Sequence, residues 1–265
     1  MSDVKLYKMS GAGNDFVILD GRGVDVSGFR RPERVAELCR EYRTDGLMIL
    51  DDGEADFRME FYNPDGSGGM MCGNGGRCIV AFADWLGITP SAPNRYTFLA
   101  PDGIHTAEIL SRSIKSWTVR LKMIDVEGVS EVLGGFFLNT GTRHFVKFVD
   151  DVEAIDIERK GKELRWNEAF APEGTNVNFV QRLPDGTLKI RTFEKGVEGE
   201  TLACGTGITA AAIVEGFLRS VRNDSEGRIS IRLQARRGDI LQVDYEPASP
   251  GIFRKIHLTG PAEFY

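Results

Sequence analysis

Two of the four cysteines in this 265-residue chain share a local setting. Cys72 is followed by Gly73-Asn74-Gly75-Gly76 and Cys204 by Gly205-Thr206-Gly207. Each turn then runs into an apolar stretch with helical spacing, RCIVAFADWL and ITAAAIVEGFLRS. A glycine-rich turn that feeds a helix N-terminus presents N–H groups with no partner inside the helix, at the positive end of the macrodipole. Such a place binds carboxylates. It also stabilises a thiolate, taking a cysteine pKa from about 8.5 into the range of about 3.5 to 7.5. Each motif therefore offers a reactive thiol beside a carboxylate cradle.

If the two turns face one another, a thiolate on one side of a carbon removes its proton while a thiol on the other side delivers one. The stereocentre then inverts, which is two-base racemisation or epimerisation. Removing a proton next to a carboxylate requires stabilisation of the carbanion. Pyridoxal phosphate would need a Schiff-base lysine in a phosphate-binding context, and no glycine-rich phosphate loop of that kind is legible. The expectation is a reaction without cofactor, in which helix dipoles and backbone amides supply the stabilisation.

The other two cysteines read differently. Cys39 falls in the helical stretch PERVAELCREY and Cys78 opens the apolar face of CIVAFADWLG, so both read as small buried hydrophobes. There is no C-x2-C pair and only His105, His144 and His257 to complete a zinc site, so no metal is expected. The net charge of −6 and pI near 5.3 provide no basic stripe for nucleic acid. The longest apolar run, Cys78 to Ala83, falls far short of the roughly 20 residues that span a bilayer. The start, MSDVKLYKMSGAGNDF, lacks the apolar stretch of a secretory signal, and the expected location is cytoplasmic.

The two C-G turns lie about half the chain length apart, and their upstream contexts agree. LMILDDGEADFRMEFYNPDGSGGMM precedes the first and VNFVQRLPDGTLKIRTFEKGVEGETLA the second; both read as strand, Asp-Gly turn, strand and polar loop. Further short strands are legible as VKLYKM, DFVILD, RYTFLA, HTAEIL, SWTVRLKM, HFVKFV, RISIRLQA and DILQVDYE. The expected class is α+β: two pseudo-symmetric domains, each a barrel-like, mostly antiparallel sheet around one central helix. The expected domains are residues 1–114 and 115–259, with the boundary near 111–118. Glycine, at 31 of 265 residues, fits many tight turns.

Six blocks, in order along the chain, resemble the diaminopimelate epimerase family. They are Lys8-Met9-Ser10-Gly11-Ala12-Gly13-Asn14-Asp15-Phe16; Asn63-Pro64-Asp65-Gly66-Ser67; Met71-Cys72-Gly73-Asn74-Gly75; Gly174-Thr175-Asn176-Val177-Asn178-Phe179; Gly199-Glu200-Thr201-Leu202-Ala203-Cys204-Gly205-Thr206-Gly207; and Gly260-Pro261-Ala262. The resemblance implies an enzyme that interconverts LL- and meso-2,6-diaminopimelate, on the route to lysine and peptidoglycan, without cofactor or metal. It assigns Cys72 and Cys204 as the paired acid and base. Gly73-Asn74 and Gly205-Thr206 are assigned to holding the carboxylate of the reacting centre, and Asn14, Asn63 and Asn176 to binding substrate. His144 and Glu194 are assigned as polar residues that assist the thiols. It further implies that residues of about 260–265 return to the first domain, and that the protein is a homodimer acting on a small molecule, with no nucleic-acid or membrane partner.

Several positions depart from the family pattern. The segment Arg40-Glu41-Tyr42-Arg43-Thr44-Asp45-Gly46-Leu47 is shorter than usual, and Gly141-Thr142-Arg143-His144 stands where Gly-Asn-Pro-His is common. Lys195 follows Glu194 where the family usually has the arginine that grips the distal carboxylate; lysine keeps the charge and loses the planar fork. A related racemase of another amino acid is therefore the alternative; Arg143 is a candidate to supply the missing guanidinium. Taken without the resemblance, Asn14, Asn63 and Asn74 read as turn residues, His144 as a packed or surface side chain, and Glu194 and Glu200 as solvated charges. Two other classes use the same motifs: a thiol oxidoreductase with Cys72 and Cys204 as a redox pair, and a carboxylate-binding module with no thiol chemistry.

Overall fold

A computed structural model describes residues 4–69, 71–221 and 227–265. The chain divides into two compact units, Met1–Leu121 with Gly260–Tyr265, and Lys122–Thr259.

The first unit contains β1 (Leu6–Gly11), β2 (Asn14–Asp20), α1 (Pro32–Tyr42), β3 (Leu47–Asp51), β4 (Phe57–Tyr62), α2 (Gly73–Trp85), β5 (Arg95–Ala100), β6 (Gly103–Arg112) and β7 (Ser116–Lys122). The second contains β8 (Val126–Glu127), β9 (Ser130–Val132), β10 (Gly135–Asn139), β11 (Arg143–Phe148), α3 (Ile157–Arg165), β12 (Asn176–Arg182), β13 (Leu188–Glu194), β14 (Gly199–Thr201), α4 (Gly205–Val221), β15 (Ile229–Gln234) and β16 (Ile240–Ser249). The final strand, β17 (Ile252–Phe264), contributes to both units.

The pairing pattern repeats. In the first unit β1–β2 is antiparallel, β2–β3 parallel, β3–β4 antiparallel, β4–β5 parallel, and β5–β6 and β6–β7 antiparallel. In the second, β10–β11, β11–β12, β12–β13, β13–β15, β15–β16 and β16–β17 follow with the same alternation. A helix occupies each long connection in the same place: α1 and α3 join the first parallel pair, and α2 and α4 the second. Each sheet also closes on itself. In the first unit residues 260–264 of β17 lie between β7 and β1, with Val119 opposite Gly260 and Met9 opposite Phe264. In the second, the segment 126–132 pairs through β8 with β17 and through β9 with β10. The expected α+β class of barrel-like, mostly antiparallel sheets with few helices is what the chain adopts.

Closure explains the helix sequences. α2 is buried from Gly73 to Ala83 and α4 is nearly so over Ile208–Val214, and apolar residues run around both, the pattern of helices with no solvent face. The outer helices are amphipathic by contrast. α1 starts with Pro32 at its first turn and buries Val35, Leu38 and Cys39 on Val17, Leu19, Leu47 and Ile49. α3 is capped by Asp156, which accepts the Arg159 N–H, and covers the cluster of Phe145, Val177, Phe179 and Phe193. The α3 segment is mostly charged and carries Gly161 mid-helix, so local propensity alone does not mark it as a helix. The boundary lies at Leu121/Lys122, beyond the expected 114/115, because β7 is hydrogen-bonded both to β6 and to residues 260–263.

Gly161 brings α3 onto β13. A Cβ there would sit 2.4 Å from the Cβ of Phe193, near backbone that cannot swing aside. Alanine improves helix propensity by about 1 kcal/mol, and overpacking costs about 1–3 kcal/mol or more. Gly161→Ala is expected to lower stability despite its better propensity. An unchanged or raised urea midpoint would contradict the close approach.

Candidate active site

The first cysteine motif is a helix cap. Cys72 has extended backbone (φ −100°, ψ 147°), its sulfur accepts the Gly75 N–H at 3.1 Å, and its carbonyl accepts the Gly76 N–H at 2.8 Å. A Cβ at Gly75 would lie 3.1 Å from both the Cys72 sulfur and the Met48 sulfur, so glycine lets the thiol settle onto the first turn. Asn74 is buried and donates through Nδ2 to Asn14 Oδ1, while its own Oδ1 accepts from Arg77 Nη2 at 2.9 Å. Arg77 is fully buried and also donates to the carbonyls of Gly73 (3.0 Å) and Pro261 (3.3 Å). Asn14 donates to Asp45 Oδ2 at 3.2 Å, which also accepts the Asp15 N–H at 2.9 Å. The structure thus joins Asn14, Gly73 and Asn74 to the Cys72 turn. Asn63 is engaged within its own turn, donating to Ser67 Oγ at 3.0 Å and accepting the Gly66 N–H at 2.9 Å.

The second motif has the same backbone logic and a richer side-chain setting. The carbonyl of Cys204 accepts the Ile208 N–H at 2.9 Å, so α4 starts at Gly205. Cys204 Sγ is 3.4 Å from Thr206 Oγ1. His144 Nε2 is 2.9 Å from Thr206 Oγ1 and 2.9 Å from Thr142 Oγ1, and the two hydroxyl oxygens are 3.3 Å apart. On its other edge His144 Nδ1 is 3.1 Å from Asn178 Nδ2. Thr140 Oγ1 donates to the Thr206 carbonyl at 2.9 Å, tying the residue that follows β10 to the start of α4. Burial holds the His144 imidazole far below its ordinary range, at about 3.

Asn176 clips the neighbouring loops together. Its Nδ2 donates to the Arg143 carbonyl (2.9 Å) and to Thr142 Oγ1 (3.3 Å), and its Oδ1 accepts the Lys195 N–H (2.8 Å). Glu194 ends β13 and its carbonyl accepts the Glu198 N–H, while the Lys195 side chain is exposed. Arg143 pairs with Glu173 and lies over the Phe137 ring at 5.1 Å. Glu200 is held by a bidentate Arg191 at 2.6 and 2.7 Å, so it is no solvated loop charge. Burial pushes the Cys39 and Cys78 thiols up, as fits inert core residues. Among the described residues no group of three or more His, Cys, Asp or Glu is placed to hold a metal ion, and no helix is long and apolar enough to cross a membrane.

A model of the diaminopimelate epimerase family matches residues 6–122 and 136–244, which take in both cysteine turns. The chain belongs to the diaminopimelate epimerase family. It is 40% identical over 265 residues to diaminopimelate epimerase of Flavobacterium psychrophilum, covering 98% of each chain. It is 38% identical to that of Aquifex aeolicus, covering 97% of this chain and 94% of the relative. Among solved structures it is similar to a PhzF-family phenazine biosynthesis protein from Bacillus anthracis, with a TM-score of 0.74, 15% identity and coverage of 98% and 96%. It is also similar to a probable proline racemase from Agrobacterium radiobacter, with a TM-score of 0.67, 16% identity and coverage of 99% and 91%. At these identities the solved structures bear on the fold alone.

In this family member, sequence reasoning gave no role to the groups that hold the site residues: Asp45 behind Asn14, Arg77 behind Asn74, and Asn178 with Thr192 behind His144. The signal for Asn178 was available. It lies two residues after Asn176, on the same face of a strand that alternates with Val177 and Phe179, so a buried amide was to be expected there.

The neutral His144 makes stability depend on pH. The unfolded chain binds a proton below about 6.5 and the folded chain only below about 3, so the unfolded state holds more protons between them. The contribution is complete above about 6.5 and is lost as pH falls toward about 3, at up to about 1.4 kcal/mol per pH unit. Urea midpoints taken between about pH 7 and pH 4 should fall more steeply for wild type than for His144→Gln. Equal slopes would contradict the buried neutral state.

Proposed function

We propose that the protein interconverts LL- and meso-2,6-diaminopimelate by a two-base mechanism without cofactor, with Cys72 and Cys204 on opposite sides of the reacting carbon. The observation that carries this reading is that a member of the diaminopimelate epimerase family has, in each of its two units, a cysteine at the entry to a buried glycine-started helix.

The chemistry follows from the half-sites. First-turn N–H groups of α2, at Gly73-Asn74, and of α4, at Gly205-Thr206, bind the carboxylate next to the reacting carbon. As the α-proton leaves, charge grows onto that carboxylate, and donors already aimed there stabilise it without reorganising. One cysteine takes the proton as thiolate and the other gives its proton to the opposite face; after a turnover their protonation states have exchanged. Asn14, Asn63 and Asn176 bind the rest of the substrate, with Glu194 and His144 assisting the thiols. Support for Asn14 and Asn176 comes from their part-buried anchoring to Asn74 and to the backbone of Arg143 and Lys195. Lys195 meets the distal carboxylate as a point charge. The family resemblance extends this reading to a homodimer in the cytosol.

Cys72→Ala and Cys204→Ala, assayed separately with LL-diaminopimelate, should each lose about 10²–10⁴-fold in kcat, the usual worth of a general acid or base. Retained epimerisation in either variant would contradict the two-base reading. Wild type that ignores diaminopimelate but racemises another amino acid would point to the alternative instead.

A further inference from the structure

The hydrogen bonds at Asn178 fix the His144 tautomer, and from His144 a line of hydroxyls leads to the Cys204 sulfur. Asn178 Nδ2 donates to the Phe145 carbonyl at 2.9 Å, and a carbonyl accepts only a donor, so the amide orientation is fixed. Its Oδ1 accepts from Thr192 Oγ1 at 3.0 Å. The same Nδ2 faces His144 Nδ1 at 3.1 Å, so Nδ1 carries no proton. His144 is fully buried and neutral, which puts its one proton on Nε2.

Nε2–H then donates to the hydroxyls of Thr206 and Thr142, both at 2.9 Å. Thr142 Oγ1 also receives the Asn176 amide at 3.3 Å and lies 3.3 Å from Thr206 Oγ1, within reach of its own hydrogen. Thr206 accepts from these directions, and the hydrogen of Thr206 has Cys204 Sγ before it at 3.4 Å. Gly207 keeps the arrangement intact, since a Cβ there would lie 2.4 Å from Asn178 Oδ1.

We infer that Thr206 is a positioning residue whose hydroxyl donates to Cys204 and stabilises it as the thiolate, with its direction set by His144, Thr142 and Asn178. This rests on the reading of Cys204 as a reactive thiol in the proposed function. His144 acts here as a fixed neutral donor. Its proton stays on Nε2 because moving it onto Thr206 would leave an imidazolate in a buried site. Thr142, an exposed residue at the mouth of this chain, adds a second donor to the same oxygen.

The test uses the Cys72→Ala full-length protein, in which Cys204 is the thiol of interest and buried Cys39 and Cys78 react slowly. The rate of Cys204 carboxamidomethylation by iodoacetamide is followed at fixed neutral pH by peptide mass spectrometry, with Thr206→Val and Thr206→Ser introduced in turn. Valine keeps the shape and removes the hydroxyl, so the rate should fall about tenfold, as befits loss of one hydrogen bond to a charged acceptor. Serine should restore it to within about twofold of the parent by keeping that donor. A valine variant as fast as the parent, or a serine variant as slow as valine, overturns the inference. In parallel, 15N shifts of His144 should report the Nε2–H tautomer at neutral pH; an Nδ1–H tautomer or an imidazolium overturns it too. Neither readout uses diaminopimelate, so failure to epimerise that substrate refutes the proposed function and leaves the Thr206 result to be judged separately.

Discussion

The rest of this structure depends on burying a helix N-terminus inside a closed sheet. A helix starts with N–H groups that have no partner within it, and enclosing that end away from water is costly unless each group is answered. In both units a cysteine enters the turn and its carbonyl accepts the first intrahelical bond, from Gly76 in one case and Ile208 in the other. In the first unit the Cys72 sulfur also takes an N–H. Glycines follow because Cβ atoms at Gly75 and Gly207 would meet Cys72 Sγ and Asn178 Oδ1. The requirement that closes the barrel around a helix also gives the thiol its positive environment.

Each half-site is then held by polar groups deep in its own unit. Arg77 reaches from α2 back to its own first turn and to the returning β17, so the chain end that completes the first barrel also supports the Asn74 side chain. In the second unit the pair Asn178 and Thr192, on adjacent strands, fixes the amide that fixes the His144 tautomer. These groups are buried and mutually satisfied, and a change in one is felt by the next.

The fold was legible where a pattern repeats. The two C-G turns and their upstream hairpins pointed to a duplicated unit, and the pairing order of β1 to β7 returns in the strands from β10 to β17. α3 was not legible because its apolar face is only Ile157, Gly161 and Leu164 among charged residues, and tertiary packing on Phe193 outweighs a poor local propensity. Strand pairing between β7 and residues 260–263 joins positions far apart in sequence, which no local window contains. In the site, residues that could do chemistry stood out by type. Of those that hold them, Asn178 is legible from its spacing to Asn176, whereas Asp45 and Arg77 are not, since such a charged side chain looks like any other until its partners are seen.

The central claim is that a proton leaves to one thiol and arrives from another. Its most direct measurement is the first few turnovers of LL-diaminopimelate with wild-type, reduced protein in D2O, with deuterium at the α-carbon read separately in the meso product and in the recovered substrate. Two monoprotic bases predict product that carries solvent deuterium from the outset while recovered substrate stays unlabelled. Substrate that gains deuterium as fast as product, or product that keeps the original proton, would contradict the account.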